Sequence, residues 1–114
     1  MDSRRPVLLT LDCSDLERSL AFWHETLGVP VKLREPGHAE LQTETVLLVL
    51  RETDEPQTGP GPALGWEDED LAAAAAELEA KGVELEAPVD SGLRGTRRRF
   101  RDPDGHLLEL VSYG

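Results

Sequence analysis

The chain has 114 residues, a length that allows one domain or two small halves sharing a core. It carries 12 Lys and Arg residues against 23 Asp and Glu residues, a formal net charge of −11. This excess of negative charge disfavours binding to nucleic acids or anionic membranes, because phosphates attract basic surfaces. The hydrophobic share of 39% suffices for a packed core, and the single cysteine, Cys13, excludes an intrachain disulfide and a CxxC zinc site.

The sequence predicts a soluble, cytoplasmic protein. No apolar run approaches the roughly 20 residues that a membrane-spanning helix requires. Near the N-terminus, charged residues follow directly after a five-residue apolar stretch, which is unlike a secretory signal.

The first half of the chain predicts one strand, one helix and three further strands. Residues 6–13, PVLLTLDC, are typical of a β-strand, and Ser14 or Asp15 can cap the helix that follows. The helix ends at Gly28, and its apolar stripe recurs at intervals of three and four residues: Leu16, Leu20, Trp23 and Leu27. Three extended runs come next, at 29–34, 38–43 and 45–51.

The second half repeats this order. Residues 63–67 predict a short strand, Asp68 or Asp70 can cap a helix, and LAAAAAELEAK forms that helix up to Gly82. Three extended runs follow, with a turn at 102–105 between the last two: 83–87, 96–101 and 107–113.

The two halves indicate an internal duplication. The pair Asp15-Leu16 matches Asp70-Leu71 and the pair Gly28-Val29 matches Gly82-Val83, at an offset of 54 to 55 residues. The alternative is two unrelated β-α units with similar cap and stop signals. The intervening stretch is rich in proline and glycine and predicts a linker. The organisation is therefore a first βαβββ module at 1–52, a linker at 53–62 and a second module at 63–114.

Two motifs carry a resemblance to a known family. The segments SDLERSLAFWHETLGV (14–29) and FRDPDGHLLELV (100–111), in this order on a duplicated chain, resemble the vicinal oxygen chelate superfamily, also called the glyoxalase, bleomycin resistance and extradiol dioxygenase family. The resemblance covers nearly the whole chain. It implies an α+β fold of two tandem βαβββ modules, whose mixed sheets curl into a cup with the helices outside. The ligand would lie in the cup, often at a dimer interface.

The resemblance does not decide the activity, because the family includes metal-dependent lyases, isomerases and dioxygenases as well as metal-free drug-binding proteins. Its enzymes hold a divalent metal on the first and last strands of each module. The matching positions here are Leu8 and Ala63, which have no metal-binding atom, and Glu109, whose counterpart in 46–50 has none either. A lone carboxylate does not hold a transition metal, so no metal and no cofactor are expected. The three histidines, on the first helix or at turns, do not complete a site: His24, His38 and His106.

Strand alternation predicts which side chains face the cup. They are Leu8, Thr10, Asp12, Leu48, Ala63, Glu67, Arg97, Arg99, Leu107, Glu109 and Val111. If Arg97 and Arg99 face the cup, they could clamp a carboxylate or phosphate; otherwise they pair with surface carboxylates. The alternative for Asp12 and Glu67 is a position on the surface at strand ends.

Glu109 has three candidate roles: a general base, a counter-charge for a cationic ligand, or a hydrogen-bonded residue without a ligand role. Trp23, Trp66 and Cys13 are expected in the core.

The favoured hypothesis is a metal-free small-molecule-binding protein that sequesters a cytotoxic drug or natural product and so confers antibiotic resistance. The acidic chain would attract a cationic or amphipathic ligand, and a large enclosed cup favours a homodimer. No nucleic-acid or membrane partner is expected. Two alternatives remain open, a metal-dependent lyase or dioxygenase and a cofactor-free isomerase or cyclase with Glu109 as base.

Overall fold

The computed structural model describes residues 8–57, 62–90, 92 and 95–113. These residues form two helical segments and eight strands. Helix α1 spans Leu16–Leu20 and continues as a π-helical turn at Ala21–Thr26, and helix α2 spans Leu71–Ala80. The strands are β1 Leu8–Cys13, β2 Val31–Glu35, β3 His38–Gln42, β4 Leu47–Glu52, β5 Leu64–Glu67, β6 Val89–Asp90, β7 Thr96–Arg101 and β8 Leu107–Ser112.

The chain divides into two compact units, Met1–Thr58 and Gly59–Gly114. The early part of the predicted linker is bonded to the first unit. The amide of Thr53 donates to the carbonyl oxygen of Cys13 at 2.9 Å, and the amide of Gln57 donates to Asp12 Oδ2 at 3.0 Å. Residues 58–61 of the predicted linker, and residues 6 and 7 of the predicted first strand, lie outside the described residues.

Each unit contains one four-stranded mixed sheet with the same topology. The order is β1-β4-β3-β2 in the first unit and β5-β8-β7-β6 in the second. The first and last strands of each unit, β1 with β4 and β5 with β8, pair in parallel, and the remaining neighbours are antiparallel. The predicted α+β fold of two βαβββ modules is confirmed.

The predicted strand at 83–87 is wrong. The structure has the short strand β6 at Val89–Asp90 instead, paired antiparallel with β7. Residues before it touch β7 through isolated bonds: the amide of Glu86 donates to the carbonyl oxygen of Arg99 at 2.8 Å, and Arg98 Nε donates to the carbonyl oxygen of Glu86 at 3.0 Å. Because Pro88 has no N–H group, a regular ladder cannot continue through that position.

Of the predicted N-cap candidates, Asp15 caps the helix of the first unit and Asp70 caps the helix of the second. The Asp15 carboxylate accepts from the amide of Arg18 at 3.2 Å, and the Asp70 carboxylate accepts from the amide of Ala73 at 3.0 Å. The first helix differs from the expected regular α-helix in its second half, where the amide of Leu27 bonds five residues back to Phe22. The wider turn of a π-helix accompanies the burial of two consecutive aromatic residues, Phe22 and Trp23.

The core of each unit lies between its helical segment and one side of its sheet. In the first unit the side chains on this side are almost fully buried: Ala39, Leu41, Leu48, Leu50 and, from the helix, Trp23. In the second unit Phe100, Leu108 and Leu110 lie under Ala75 and Leu78 of α2. Burial of apolar surface of this kind contributes about 25 cal/mol for each Å² removed from water.

The expected core role of Trp23 and Cys13 is confirmed, because both side chains are buried. Trp66 is half-buried on the helix-facing side of its sheet and stacks on Phe100, with ring centroids 6.4 Å apart. Among the described residues, no helix is long and apolar enough to cross a membrane.

Candidate functional site

The side of each sheet that faces away from its helix is here called the open face. Alternation along β1 places Leu8, Thr10 and Asp12 on the open face of the first unit, next to Leu47, Val49 and Arg51 of β4. The predicted site residues on the open face of the second unit are Glu67, Arg97, Arg99, Leu107, Glu109 and Val111. Ala63 is exposed and lies immediately before β5.

The structure does not place Leu48 with the other predicted site residues. Its side chain is fully buried on the helix-facing side, where it pairs with Leu41 of β3 and Leu9 of β1. The continuous apolar run VLLVL gave no polar alternation from which to choose its two faces. The open-face residues of this run are Leu47 and Val49.

The first and last strands pair in the same way in both units, so positions on the two open faces can be matched. Thr10 lies beside Val49 in the first unit as Gly65 lies beside Glu109 in the second. Val49 is therefore the counterpart of Glu109, and its hydrocarbon side chain offers no ligand atom. This agrees with the expectation that residues 46–50 supply no metal ligand.

Glu109 is held by two arginines of the neighbouring strand. Its Oε1 accepts from Arg97 Nη1, and its Oε2 accepts from Arg99 Nε at 3.3 Å. The side chains of Glu109 and Arg97 are each only 11% exposed, whereas that of Arg99 is 44% exposed. Both carboxylate oxygens are thus engaged by guanidinium groups, which form charge-assisted hydrogen bonds.

Gly65 gives the Glu109 side chain its space. A Cβ atom at Gly65 would lie 3.4 Å from Glu109 Cγ and 3.8 Å from its Oε1. The sequence offered two separate interpretations of Arg97 and Arg99, as open-face residues or as partners of carboxylates. Both interpretations hold in the structure. Arg97 and Arg99 lie on the open face, and the carboxylate that they bind is Glu109 of that same face.

A second ion pair lies on the open face of the first unit. Asp12 Oδ1 accepts from Arg51 Nε at 3.0 Å and from Arg51 Nη2 at 2.7 Å. Asp12 is buried, whereas the Arg51 side chain is 61% exposed, and Asp12 Oδ2 also binds the amide of Gln57. Asp12 therefore fastens the segment after β4 to the sheet.

Sequence reasoning missed several polar residues of the first open face. Arg51 lies directly beside Asp12, and His38 Nε2 lies 2.9 Å from Glu40 Oε2. Period-two alternation along β3 would have placed His38 and Glu40 on one face. Their approach to β4, however, depends on a register that is set by the turns rather than by the strands.

The donor set does not fit a divalent transition metal. The described ranges contain no group of three or more His, Cys, Asp or Glu side chains that could hold a metal ion. At the positions where the family resemblance expects ligands, Leu8, Val49 and Ala63 are hydrocarbon side chains. The remaining one, Glu109, already has both oxygens bonded to arginine. Metal sites in proteins normally take about three or more protein donors.

Comparison with known proteins decides the family. The sequence model of the Glyoxalase/Bleomycin resistance protein/Dioxygenase superfamily matches residues 6–110. The chain belongs to this superfamily.

Individual members of the superfamily differ in what they do. Glutathione transferase FosA from Serratia marcescens is 34% identical over 109 residues, covering 90% of this chain and 76% of FosA. The structure of a glyoxalase/bleomycin resistance protein/dioxygenase from Nocardioides superposes with a TM-score of 0.86 at 23% identity, covering 99% of this chain and 85% of the other. TnmS3, an antibiotic binding protein from Streptomyces sp. CB03234, has a TM-score of 0.81 at 26% identity, covering 100% and 99%. This superfamily member is thus similar to a transferase and to a binding protein.

Proposed function

We propose that this superfamily member is a metal-independent small-molecule-binding protein that sequesters a cytotoxic drug or natural product. The observation that carries the proposal is the state of Glu109, whose two oxygens are bonded to Arg97 and Arg99. The two guanidinium groups already supply positive charge to this carboxylate, so no metal ion is needed there to neutralise it.

The cost of displacing the arginines supports metal independence. A metal cation on Glu109 would either lie beside the two guanidinium charges or displace them, and a displaced Arg97, whose side chain is 11% exposed, would carry a largely buried charge without its carboxylate. The hydrocarbon side chains of Leu8, Val49 and Ala63 offer no further donor to repay that cost.

The apolar side chains of the open faces support binding of an organic molecule. Leu8 is 55% exposed and lies beside Leu47, and the half-buried Leu107 lies two residues before Glu109 on β8. Sequestration requires only tight stoichiometric binding, at roughly nanomolar Kd or about −12 kcal/mol. The similarity to the antibiotic binding protein TnmS3 is consistent with such a role. The proposal includes a cytoplasmic homodimer. Light scattering after size-exclusion chromatography would measure its mass.

A metal-dependent lyase or dioxygenase is the second candidate; the 34% identity to an enzyme, glutathione transferase FosA, favours catalysis over binding alone. The third, a cofactor-free isomerase or cyclase, needs Glu109 as a base. Both oxygens of the Glu109 carboxylate accept from an arginine, and taking up a substrate proton there would give up these two ion pairs, which disfavours this role.

Elemental analysis tests the proposal first. The chain is purified without chelator, incubated with Ni²⁺, Mn²⁺, Fe²⁺ or Zn²⁺ and desalted, alongside the Glu109→Gln variant. We expect negligible retention of any metal by either protein. Near-stoichiometric metal in the native chain that Glu109→Gln loses would overturn metal independence in favour of the enzyme.

Ligand screening tests the binding part. A panel of cytotoxic natural products is titrated while the melting temperature and tryptophan fluorescence are followed. We expect at least one saturable ligand of submicromolar Kd. A panel that gives only weak micromolar binding or none would contradict sequestration.

A further inference from the structure

We propose that Arg99 forms an oxyanion-binding subsite on the open face of the second unit, positioned by Glu109 and Arg97. The ligand would carry a carboxylate, phosphate, phosphonate or sulfonate group. This inference rests on the proposed small-molecule binding and names the class of its ligand. It replaces the cationic ligand that the net charge of the chain suggested.

The local charge of this face opposes that of the whole chain. The chain has a net charge of −11, yet β7 presents three arginines on the open face: Arg97, Arg99 and Arg101. Strands β5 and β8 contribute one carboxylate each to the same face, Glu67 and Glu109. Because charge interactions are screened over about 8–10 Å at physiological ionic strength, a bound molecule responds to this local set rather than to the distant acidic residues.

The geometry of Arg99 leaves part of its guanidinium available. Its Nε donates to Glu109 Oε2 at 3.3 Å, and its side chain is 44% exposed. Within the part of the chain that the structure describes, the terminal Nη1 and Nη2 groups of Arg99 make no hydrogen bond. These two groups form the edge of a guanidinium that binds an oxyanion through parallel N–H bonds.

Arg97 and Glu109 prepare this edge for a ligand. The guanidinium of Arg97 is largely buried against Glu109 and balances the single charge of that carboxylate. The charge of Arg99 is then left for the ligand to balance. The bond to Glu109 also restricts the long Arg99 side chain before binding, which lowers the entropy lost when the ligand is bound.

The first unit shows that the fold does not impose this arrangement. The open-face residue beside Val49 is Glu40, whereas the residue beside Glu109 is Arg99. Glu40 contacts His38 and presents an acidic group. A guanidinium edge at this position is therefore specific to the second unit.

Four probes with the same aromatic ring test the subsite: 2-naphthoate, 2-naphthyl phosphate, 2-naphthalenemethanol and 2-naphthylmethylammonium. Each is titrated into the full chain by calorimetry at low salt. We expect the two anions to bind about tenfold tighter than the neutral alcohol, and the cation to bind weakest. A tighter phosphate than carboxylate would assign the subsite to dianionic groups, and the reverse to carboxylates.

Three variants locate the effect. Arg99→Gln is expected to remove the roughly tenfold preference for anions, and Arg99→Lys to retain only part of it, because lysine keeps the charge and lacks the two-nitrogen edge. Arg98→Gln is the matched control, since it makes the same charge change on the same strand. Arg98 points to the other side of the sheet, where its Nη1 bonds Glu79 of α2 at 3.1 Å. Circular dichroism verifies that each variant is folded.

Two results would overturn the subsite. One is equal binding of the anionic and neutral probes to the native chain, and the other is an equal loss of anion affinity in Arg98→Gln and Arg99→Gln. Binding of the neutral probe in either case leaves the proposed small-molecule function standing. Absence of binding by all four probes at millimolar concentration would contradict the subsite, whereas the screen of cytotoxic natural products decides the proposed function separately.

Discussion

The open faces of the two units have the same backbone arrangement and different chemistry. Where the first unit has Val49 beside Glu40, the second has Glu109 beside Arg99. In the first unit the buried Asp12 pairs with an exposed arginine, Arg51. In the second unit the buried Glu109 pairs with a largely buried arginine, Arg97. The buried cores on the helix-facing sides, in contrast, are built from apolar side chains in both units. Packing constrains the core on the helix-facing side to stay apolar, so the two units differ in chemistry on the side that this packing does not constrain.

The largest expected effect is the loss of stability when the carboxylate of each ion pair is replaced, which should differ between the two pairs. Glu109→Gln should lower the free energy of unfolding by roughly 3 kcal/mol, because Arg97, whose side chain is only 11% exposed, loses the carboxylate charge that it is buried against. Asp12→Asn should cost only about 1 kcal/mol, because its partner Arg51 is 61% exposed and becomes hydrated. Urea denaturation measures both. Equal losses would show that the second pair is no more enclosed than the first.

Two glycines that precede equivalent strands give the next effect. Gly95, before β7, has φ +79°, and an added Cβ would overlap the carbonyl oxygen of Ser112. Gly37, before β3, has φ +74° and no atom within 4 Å of such a Cβ. Gly95→Ala should therefore lower the free energy of unfolding by roughly 2–3 kcal/mol. Gly37→Ala should lower it by about 1 kcal/mol, because only backbone strain acts there. Thermal unfolding of the pair checks this order, and a larger loss at Gly37 would contradict it.

The helix caps should differ by less. Asp70→Ala is expected to lower stability by about 1 kcal/mol. Asp15→Ala should cost roughly half of that, because Glu52 Oε2 still accepts from the amide of Leu16, at 2.7 Å, at the start of the first helix. Urea unfolding of each alanine variant gives the comparison. If Asp15→Ala costs more, Glu52 does not support that helix start.

The smallest effect concerns Ser19 of α1. Its side chain is fully buried, and its Oγ atom has no hydrogen-bond partner among the described residues. The matching position of α2, at the same offset as the two caps, is Ala74. Ser19→Ala should therefore change the free energy of unfolding by no more than about 0.5 kcal/mol, or raise it slightly. A loss above about 1 kcal/mol would indicate a hydrogen bond to this hydroxyl.

The fold followed from local signals that act through neighbouring atoms. Asp15 and Asp70 cap because their side chains reach amides three residues ahead, and such a signal is complete within one turn. The strand at 83–87 was predicted as an extended run of residues, with no account of a pairing partner. Whether this run pairs with β7 depends on Pro88, which has no N–H group, and on the position of β7. The residues 83–87 themselves carry neither signal.

The site depended on contacts between strands. Glu109 was identifiable from its motif, but its bond to Arg99 follows from the register of β7 against β8. That register is set by the turn at Asp102, whose carboxylate accepts from the amides of Asp104 and His106. A shift of one residue would turn Arg98 to the open face instead. Assigning a partner to Glu109 therefore required the length and bonding of this turn.

The parallel pairing of the first and last strands has a consequence for synthesis on the ribosome. Strand β1 is complete at Cys13, but its only neighbour in the described sheet, β4, begins at Leu47. At about 5–20 residues per second, the nascent first strand waits roughly two to seven seconds for its partner. The same delay recurs between β5 and β8. During each interval an apolar strand is without its neighbour, so slow translation between these strands would favour capture by chaperones or aggregation of the nascent chain.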